Sequence, residues 1–201
     1  MANQPSPLHP APLLGDDELR ERFPALFVPR RWGNIDLTGF HLLSTWPPIE
    51  TVQSVNIVPF QADACLVIVD ERGGFQLPGG TRERGESLEE TGRRELLEEV
   101  GATFAHCHPF GWLDCHSHDE RPWRPFLMHP DFTRAIAWAD VERIGGPTNP
   151  DGAEQIAEVL PLSPDEAASR LRHGGRPELA DIYLLAASVR TQMRQSGTNL
   201  A

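Results

Sequence analysis

Three glutamates, Glu95, Glu98 and Glu99, stand at i, i+3 and i+4 in a run that also carries Arg93 and Arg94. On a helix, all three carboxylates leave one face within about one turn. Like charges so placed repel by a few tenths of a kcal/mol per exposed pair. Two readings follow: a solvated acidic surface that tolerates the repulsion, or a platform on which a hard divalent cation turns the repulsion into a gain. Mg²⁺ takes oxygen ligands, commonly one or two carboxylates together with substrate phosphates.

The surrounding residues favour the second reading. Gly80, Glu86, Arg94, Glu95, Leu96, Glu98, Glu99 and Gly101 fall in one register, and Leu77-Pro78-Gly79 leads into them. This stretch, Gly80–Ala102, resembles the signature of the Nudix hydrolases. Ala102 is the one departure, standing where a larger aliphatic residue is usual. The resemblance implies an α/β (α+β) fold, an α-β-α sandwich with a mixed sheet. It implies hydrolysis of a nucleoside diphosphate linked to a group X, giving a nucleotide and phosphorylated X, with Mg²⁺ or Mn²⁺ as cofactor. It places Glu95, Glu98 and Glu99 as metal ligands, with the backbone carbonyl of Gly80 as a further oxygen. Arg94 would hold the carboxylates by charge-assisted hydrogen bonds, and Glu86 would join that network. The chemistry suits the residues: a phosphoanhydride is protected by its own negative oxygens, and metal-bound carboxylates can neutralise them, align the reactants and activate water. A Nudix-like domain that senses a ligand without hydrolysis is the alternative, and loss of the glutamates would have favoured it.

Other residues carry weaker signals. Some members of the family recruit a further acid from a later loop. Glu154 is the candidate for that base, with Glu158 and Glu120 as competitors. His106, Cys107, His108, Cys115, His116 and His118 form a cluster whose spacing does not match structural zinc sites. They read as core cysteines and sheet-surface histidines. For substrate contact, Trp112, Arg121 and Arg124 are candidates, and Trp32, Trp46, Trp123, Trp138 and Phe40 could also stack on a base or sugar. Subfamily markers that would name a substrate are missing between Ser117 and Glu120.

The elements that must position these groups are partly legible. Asp16 or Asp17 can cap a short helix over 17–23, where Leu19, Phe23 and Leu26 form a stripe. Residues 30–50 suit either a hairpin or a subunit-contacting arm. Strands are predicted over 52–60, 64–69 and 75–77, with Gly73-Gly74 in the turn. Ser87 and Glu90 form a capping box, and Gly101 stops the helix that follows. Leu96, Leu97 and Val100 are expected on the face opposite the glutamates. Further strands are predicted over 103–112, 125–128 and 156–162, with Trp138 and Val141 on a strand or short turn. Residues 145–152 read as a loop. One helix is predicted from Pro164 to about Leu171, and Leu179, Ile182, Tyr183, Ala186, Val189 and Met193 recur at the spacing of an amphipathic C-terminal helix.

The chain has 201 residues, 39% hydrophobic and 23% charged, enough for one sizeable domain with extensions. The expected division is an N-terminal extension over 1–50 with a proline-rich arm (Pro5, Pro7, Pro10, Pro12), the main domain over 51–195 and a tail over 196–201. A net charge of −11 argues against a nucleic-acid or membrane-surface partner. It does not argue against a small diphosphate substrate, because a bound metal inverts the local sign. Three cysteines make no disulfide framework, and no secretory or membrane-spanning segment is visible, so a cytoplasmic setting is expected. The family suggests a homodimer.

Overall fold

A mixed sheet organises the chain, and the alternation of side chains along its central strands explains why helices cover both of its faces. The computed structural model describes residues 14–43, 45–150 and 154–196. In chain order the elements are α1 (Asp16–Arg22), a 3₁₀ turn (Pro24–Phe27), β1 (Arg30–Trp32), β2 (Ile35–Leu42), β3 (Val52–Gln61), β4 (Ala64–Asp70), β5 (Phe75–Gln76) and β6 (Gly79–Thr81). Then follow α2 (Leu88–Val100), β7 (Ala102–Ser117), β8 (Asp131–Arg143), β9 (Ile156–Leu162), α3 (Pro164–His173) and α4 (Pro177–Gln195).

The strands lie in the order β1-β2-β7-β8-β3-β4-β5, with β6 added to β3 and β9 to β4. Only β3 and β8 run parallel among these pairs. On β3, Val55 and Ile57 face α2, whereas Val58 and Phe60 face α3 and α4. β4 repeats the pattern with Leu66 and Ile68 against Cys65 and Val67, and β8 with Ala135 and Ala137 against Ile136 and Trp138. Burial on both faces is why these strands read as unbroken apolar runs. The result is the α-β-α layering that the resemblance implies.

One interruption in the sheet matters for the site. β3 and β4 pair only at Phe60–Cys65 and Gln61–Ala64. Beyond that point they part: β3 takes β6 as its neighbour, and β4 takes β5 and β9. The split faces the carboxylate edge of α2 on one side and α4 on the other.

Several expectations need correction. Residues 125–128 are not a strand but part of a loop, with the Leu127 amide bonded to the Arg124 carbonyl. Prolines at 122, 125 and 130 remove the donors a ladder needs, and the strand begins at Asp131. β7 extends past the expected end at 112 to Ser117. Trp138 and Val141 both lie on β8. The cap of α1 is Gly15, with no side-chain bond; Asp16 and Asp17 lie in the first turn, where they favour the helix dipole instead. Residues 30–42 form a hairpin that joins the chain's own sheet through β2 and β7. The proline-rich arm, residues 151–153 of the loop and most of the C-terminal tail lie outside the described residues.

Candidate active site

Helix α2 forms where the sequence marks it. Ser87 accepts from the Glu90 amide while Glu90 accepts from the Ser87 amide, and Gly101 closes the helix at φ 68°. A β-carbon at Gly101 would fall 2.5 Å from the Gly145 carbonyl oxygen, so both the left-handed backbone and the close approach require glycine. The buried face differs from the expected one. Leu97 is 42% exposed, whereas Glu95 and Glu99 are themselves buried beside Leu96 and Val100. At about 100° per residue, Glu95 and Glu99 stand next to the apolar stripe, not opposite it. They therefore turn inward toward β6.

Gly92 lets the helix settle there. A β-carbon at Gly92 would meet Ile57 Cδ1 at 2.3 Å, so the glycine is the close-packing point of helix on sheet. At the next strand, the Gly79 amide donates to Glu99 Oε2 at 2.8 Å. A β-carbon at Gly80 would lie 2.3 Å from Glu95 Oε1, so Glu95 occupies the space that glycine leaves.

Arg94 braces the remaining carboxylates. Its Nε donates to Glu86 Oε1 at 2.8 Å, its Nη1 to Glu95 Oε1 at 2.7 Å, and its Nη2 to the Thr81 carbonyl at 3.0 Å. Nη1 also lies 3.4 Å from Glu98 Oε2. Burial alone would raise the Glu86 carboxyl, but Arg94, the Glu83 amide and Thr91 outweigh it and hold it at about 2. Glu99 moves the other way. Burial, opposed by the Gly79 amide and reinforced by Glu95, Glu154 and Glu98, pushes it up to about 8. Burial also raises Glu95, against the pull of Arg94.

The donor set suits a hard dication. All available groups are oxygens, and the Arg94 guanidinium pairs with Glu86, Glu95 and Glu98, while Glu99 beside them has, among the described residues, only the Gly79 amide. Among the described residues, no three His, Cys, Asp or Glu side chains converge on one point that could hold a metal ion. Arg94 lies between Glu95 and Glu98 instead.

A cleft of about 420 Å³ opens on the α4 side of the split. Gly79 and Glu154 border it near the glutamates, and Trp32 and Arg134 line it farther away. Arg176 spans the two, donating to Gln76 Oε1 at 2.7 Å and standing 4.1 Å over the Trp32 ring. Glu154 is raised by partial desolvation and by Asp70. All three candidates are exposed, but only Glu154 among them borders the cleft; Glu158 lies on β9 and Glu120 in the loop after β7.

A model of the NUDIX domain matches residues 50–184. This chain belongs to the Nudix hydrolase family. Two solved structures share the Nudix fold with it. The pyrophosphohydrolase BsRppH of Bacillus subtilis, in a mutant form, has a TM-score of 0.56 at 18% identity, covering 85% of this chain and 98% of its own. A NUDIX hydrolase from Nitrosomonas europaea has a TM-score of 0.51 at 20% identity, covering 69% and 90%. No curated protein matches the chain.

Within this Nudix domain, the other sequence candidates fall away from the cleft. Trp112 stacks near His41 and donates to Asp114, on the strand face opposite Leu113, which lines the cleft. Arg124 pairs with Glu83, and Arg121 is exposed. Of the aromatics, Trp32 reaches the cleft. In the His/Cys cluster, Cys115 is buried and Cys107 half-buried, and burial pushes both thiols up to about 12. His108 stacks on Trp138, His116 bonds Asp131, and His118 bonds Asp36. Arg134 and Arg176 were not foreseen. For Arg134 the signal was present: it sits in step with Phe132, Ile136 and Trp138, an arginine at an inward position of an alternating strand.

Proposed function

We propose that this Nudix hydrolase cleaves the phosphoanhydride bond of a nucleoside diphosphate linked to a group X, releasing a nucleoside monophosphate and phosphorylated X. The observation that carries this reading is the placement of Glu95 and Glu99, buried against Gly79 and Gly80 at the split in the sheet, with the cleft opening beside them. Buried carboxylates short of positive charge are costly unless a cation or proton compensates them. Glu95, Glu98, Glu99 and the Gly80 carbonyl would hold Mg²⁺ or Mn²⁺. When bound, the metal would offset the charge of the diphosphate oxygens and lower the pKa of water.

The chain's own residues do the rest. Arg94, anchored by Glu86 and the Thr81 carbonyl, orients Glu95 and Glu98. The Gly79 amide fixes one oxygen of Glu99. Glu154, at the cleft edge, is the base assigned to take the proton of the attacking water as its oxygen bonds to phosphorus and the bridging oxygen leaves. The substrate is a small molecule, not nucleic acid, in keeping with the net charge of −11. No helix among the described residues is long and apolar enough to cross a membrane.

Incubation with nucleotide sugars, ADP-ribose, dinucleotide polyphosphates and nucleoside triphosphates, each with Mg²⁺ or Mn²⁺, tests the reading. It requires a nucleoside monophosphate among the products of at least one. No turnover of any of them rejects it.

A further inference from the structure

Arg134 projects from the inward side of β8 into the cleft, between the apolar side chains of Phe132 and Ile136. Its guanidinium lies 5.2 Å over the Trp32 ring. Its Nε is buried and has no hydrogen-bond partner among the described residues. The titratable groups that act on it are the Cys115 thiol and Arg176, neither of them a carboxylate. Arg176 is already engaged, with its Nε 2.9 Å from Glu178 Oε1, and that same carboxylate also serves Arg30. At the Trp32 end of the cleft Glu178 is thus shared by Arg30 and Arg176, and Arg134 has no carboxylate partner of its own among the described residues. An arginine stays charged, and an unpaired buried charge is costly. A ligand oxyanion would remove the cost and would find a planar donor fork with an aromatic wall beside it.

Strand register gives the separation from the glutamates. Gly79, Asn56 and Ile136 lie on one row across β6, β3 and β8, and Thr81, Ser54 and Arg134 on the row two residues away. Two strand spacings and two residues of rise put the Arg134 and Gly79 Cα atoms roughly 12 Å apart. One end of the cleft thus carries Glu154 and Gly79, whose amide holds Glu99, and the other carries the Arg134 guanidinium.

Resting on the hydrolase reading above, we infer that Arg134 binds a second oxyanion of the substrate, so that the enzyme selects diphosphates whose X carries its own phosphate or carboxylate. The N-terminal hairpin supplies Trp32 to this subsite, which gives the extension a role in substrate choice.

The test uses inorganic phosphate as probe, in the presence of EDTA, with the full chain. Calorimetric titration should show millimolar binding to the wild type and at least tenfold weaker binding to Arg134→Met. Arg134→Lys, which keeps the charge but loses the fork, should fall between them. Phosphate should raise the melting temperature of the wild type and not that of Arg134→Met. Without phosphate, Arg134→Met should melt at or above the wild type, because it removes a buried charge that has no carboxylate partner. Equal phosphate affinity in Arg134→Met, no binding to the wild type, or an Arg134→Met protein that melts far lower or fails to fold would each overturn the inference. A matched pair, UDP-glucuronate and UDP-glucose, separates carboxylate from phosphate recognition: a preference for the former abolished by Arg134→Met assigns a carboxylate, and preference for a phosphate-bearing X alone assigns a phosphate. Metal-free binding does not depend on turnover, so failure of the hydrolase reading would leave this result standing.

Discussion

The Gly79 amide donates a 2.8 Å hydrogen bond to the carboxylate of Glu99, joining the strand before the helix to the helix's last turn. With the contact of Gly80 and Glu95, it fixes two buried carboxylates against backbone, which no side chain at either glycine would allow. A β-carbon at Gly79 would lie 2.2 Å from the Val55 carbonyl oxygen, at a φ of 139°.

Gly80→Ala should therefore disable the site without unfolding the protein. The added methyl would collide with the Glu95 carboxylate and displace it, while the backbone at Gly80 is not in the left-handed region. Displacement of a positioned group by about 1 Å can cost on the order of 10²-fold in rate. Turnover and thermal melting of the same preparation check this: a large loss of rate with a small change in melting temperature is expected.

Gly92→Ala should destabilise despite better helix propensity. Alanine gains about 1 kcal/mol in a helix interior, but overpacking against Ile57 costs typically 1–3 kcal/mol. Removing the colliding Cδ1 with Ile57→Val should relieve it. In a double-mutant cycle by urea unfolding, the two changes should couple favourably. Strict additivity would mean the contact does not control the packing.

Glu86 links stability to acid. Its carboxyl is held at about 2 in the folded protein, below the ordinary value of 4.5. The stabilisation is thus fully present above about pH 4.5 and is lost as pH falls toward 2. Glu86→Gln should cost about 2 kcal/mol near neutral pH, and its deficit relative to the wild type should shrink through that window. Denaturant unfolding at a series of pH values measures the difference.

Most of the sheet and the helix of the glutamates were legible in the sequence, because continuous apolar runs and the Ser87–Glu90 box are local signals. The true inward face of α2 was not. Glu95 and Glu99 are polar residues on a buried arc, and a reading by hydrophobicity assigns that arc to Leu97 instead. The apolar residues at 125–128 suggest a strand, but the prolines around them withhold the ladder donors a strand needs. Arg134 escaped notice for a related reason: a charged residue in an inward register looks like noise until the partners around it are known. The hairpin at 30–42 could not be separated from an interface arm, since its pairing with β7 joins residues about 75 positions apart.

Glu154 is separable from the glutamates of α2, as it sits on a different element, just before β9. Glu154→Gln should lower kcat on the order of 10²-fold or more, the range of general base catalysis, with little change in KM. Steady-state kinetics decide it: unchanged kcat removes the role.

The most direct measurement is the turnover of a cleaved nucleoside diphosphate derivative by wild type and Glu98→Gln, with EDTA and then with Mg²⁺ or Mn²⁺ restored. Glu98 is the most accessible of the three glutamates, and its carboxylate lies 3.4 Å from Arg94, so the substitution should leave the fold intact. The account predicts no turnover in EDTA, recovery with metal in the wild type, and a loss of at least about a hundredfold in Glu98→Gln, equivalent to about 2.7 kcal/mol of barrier. Turnover that survives EDTA, or equal rates for the two proteins, would contradict it.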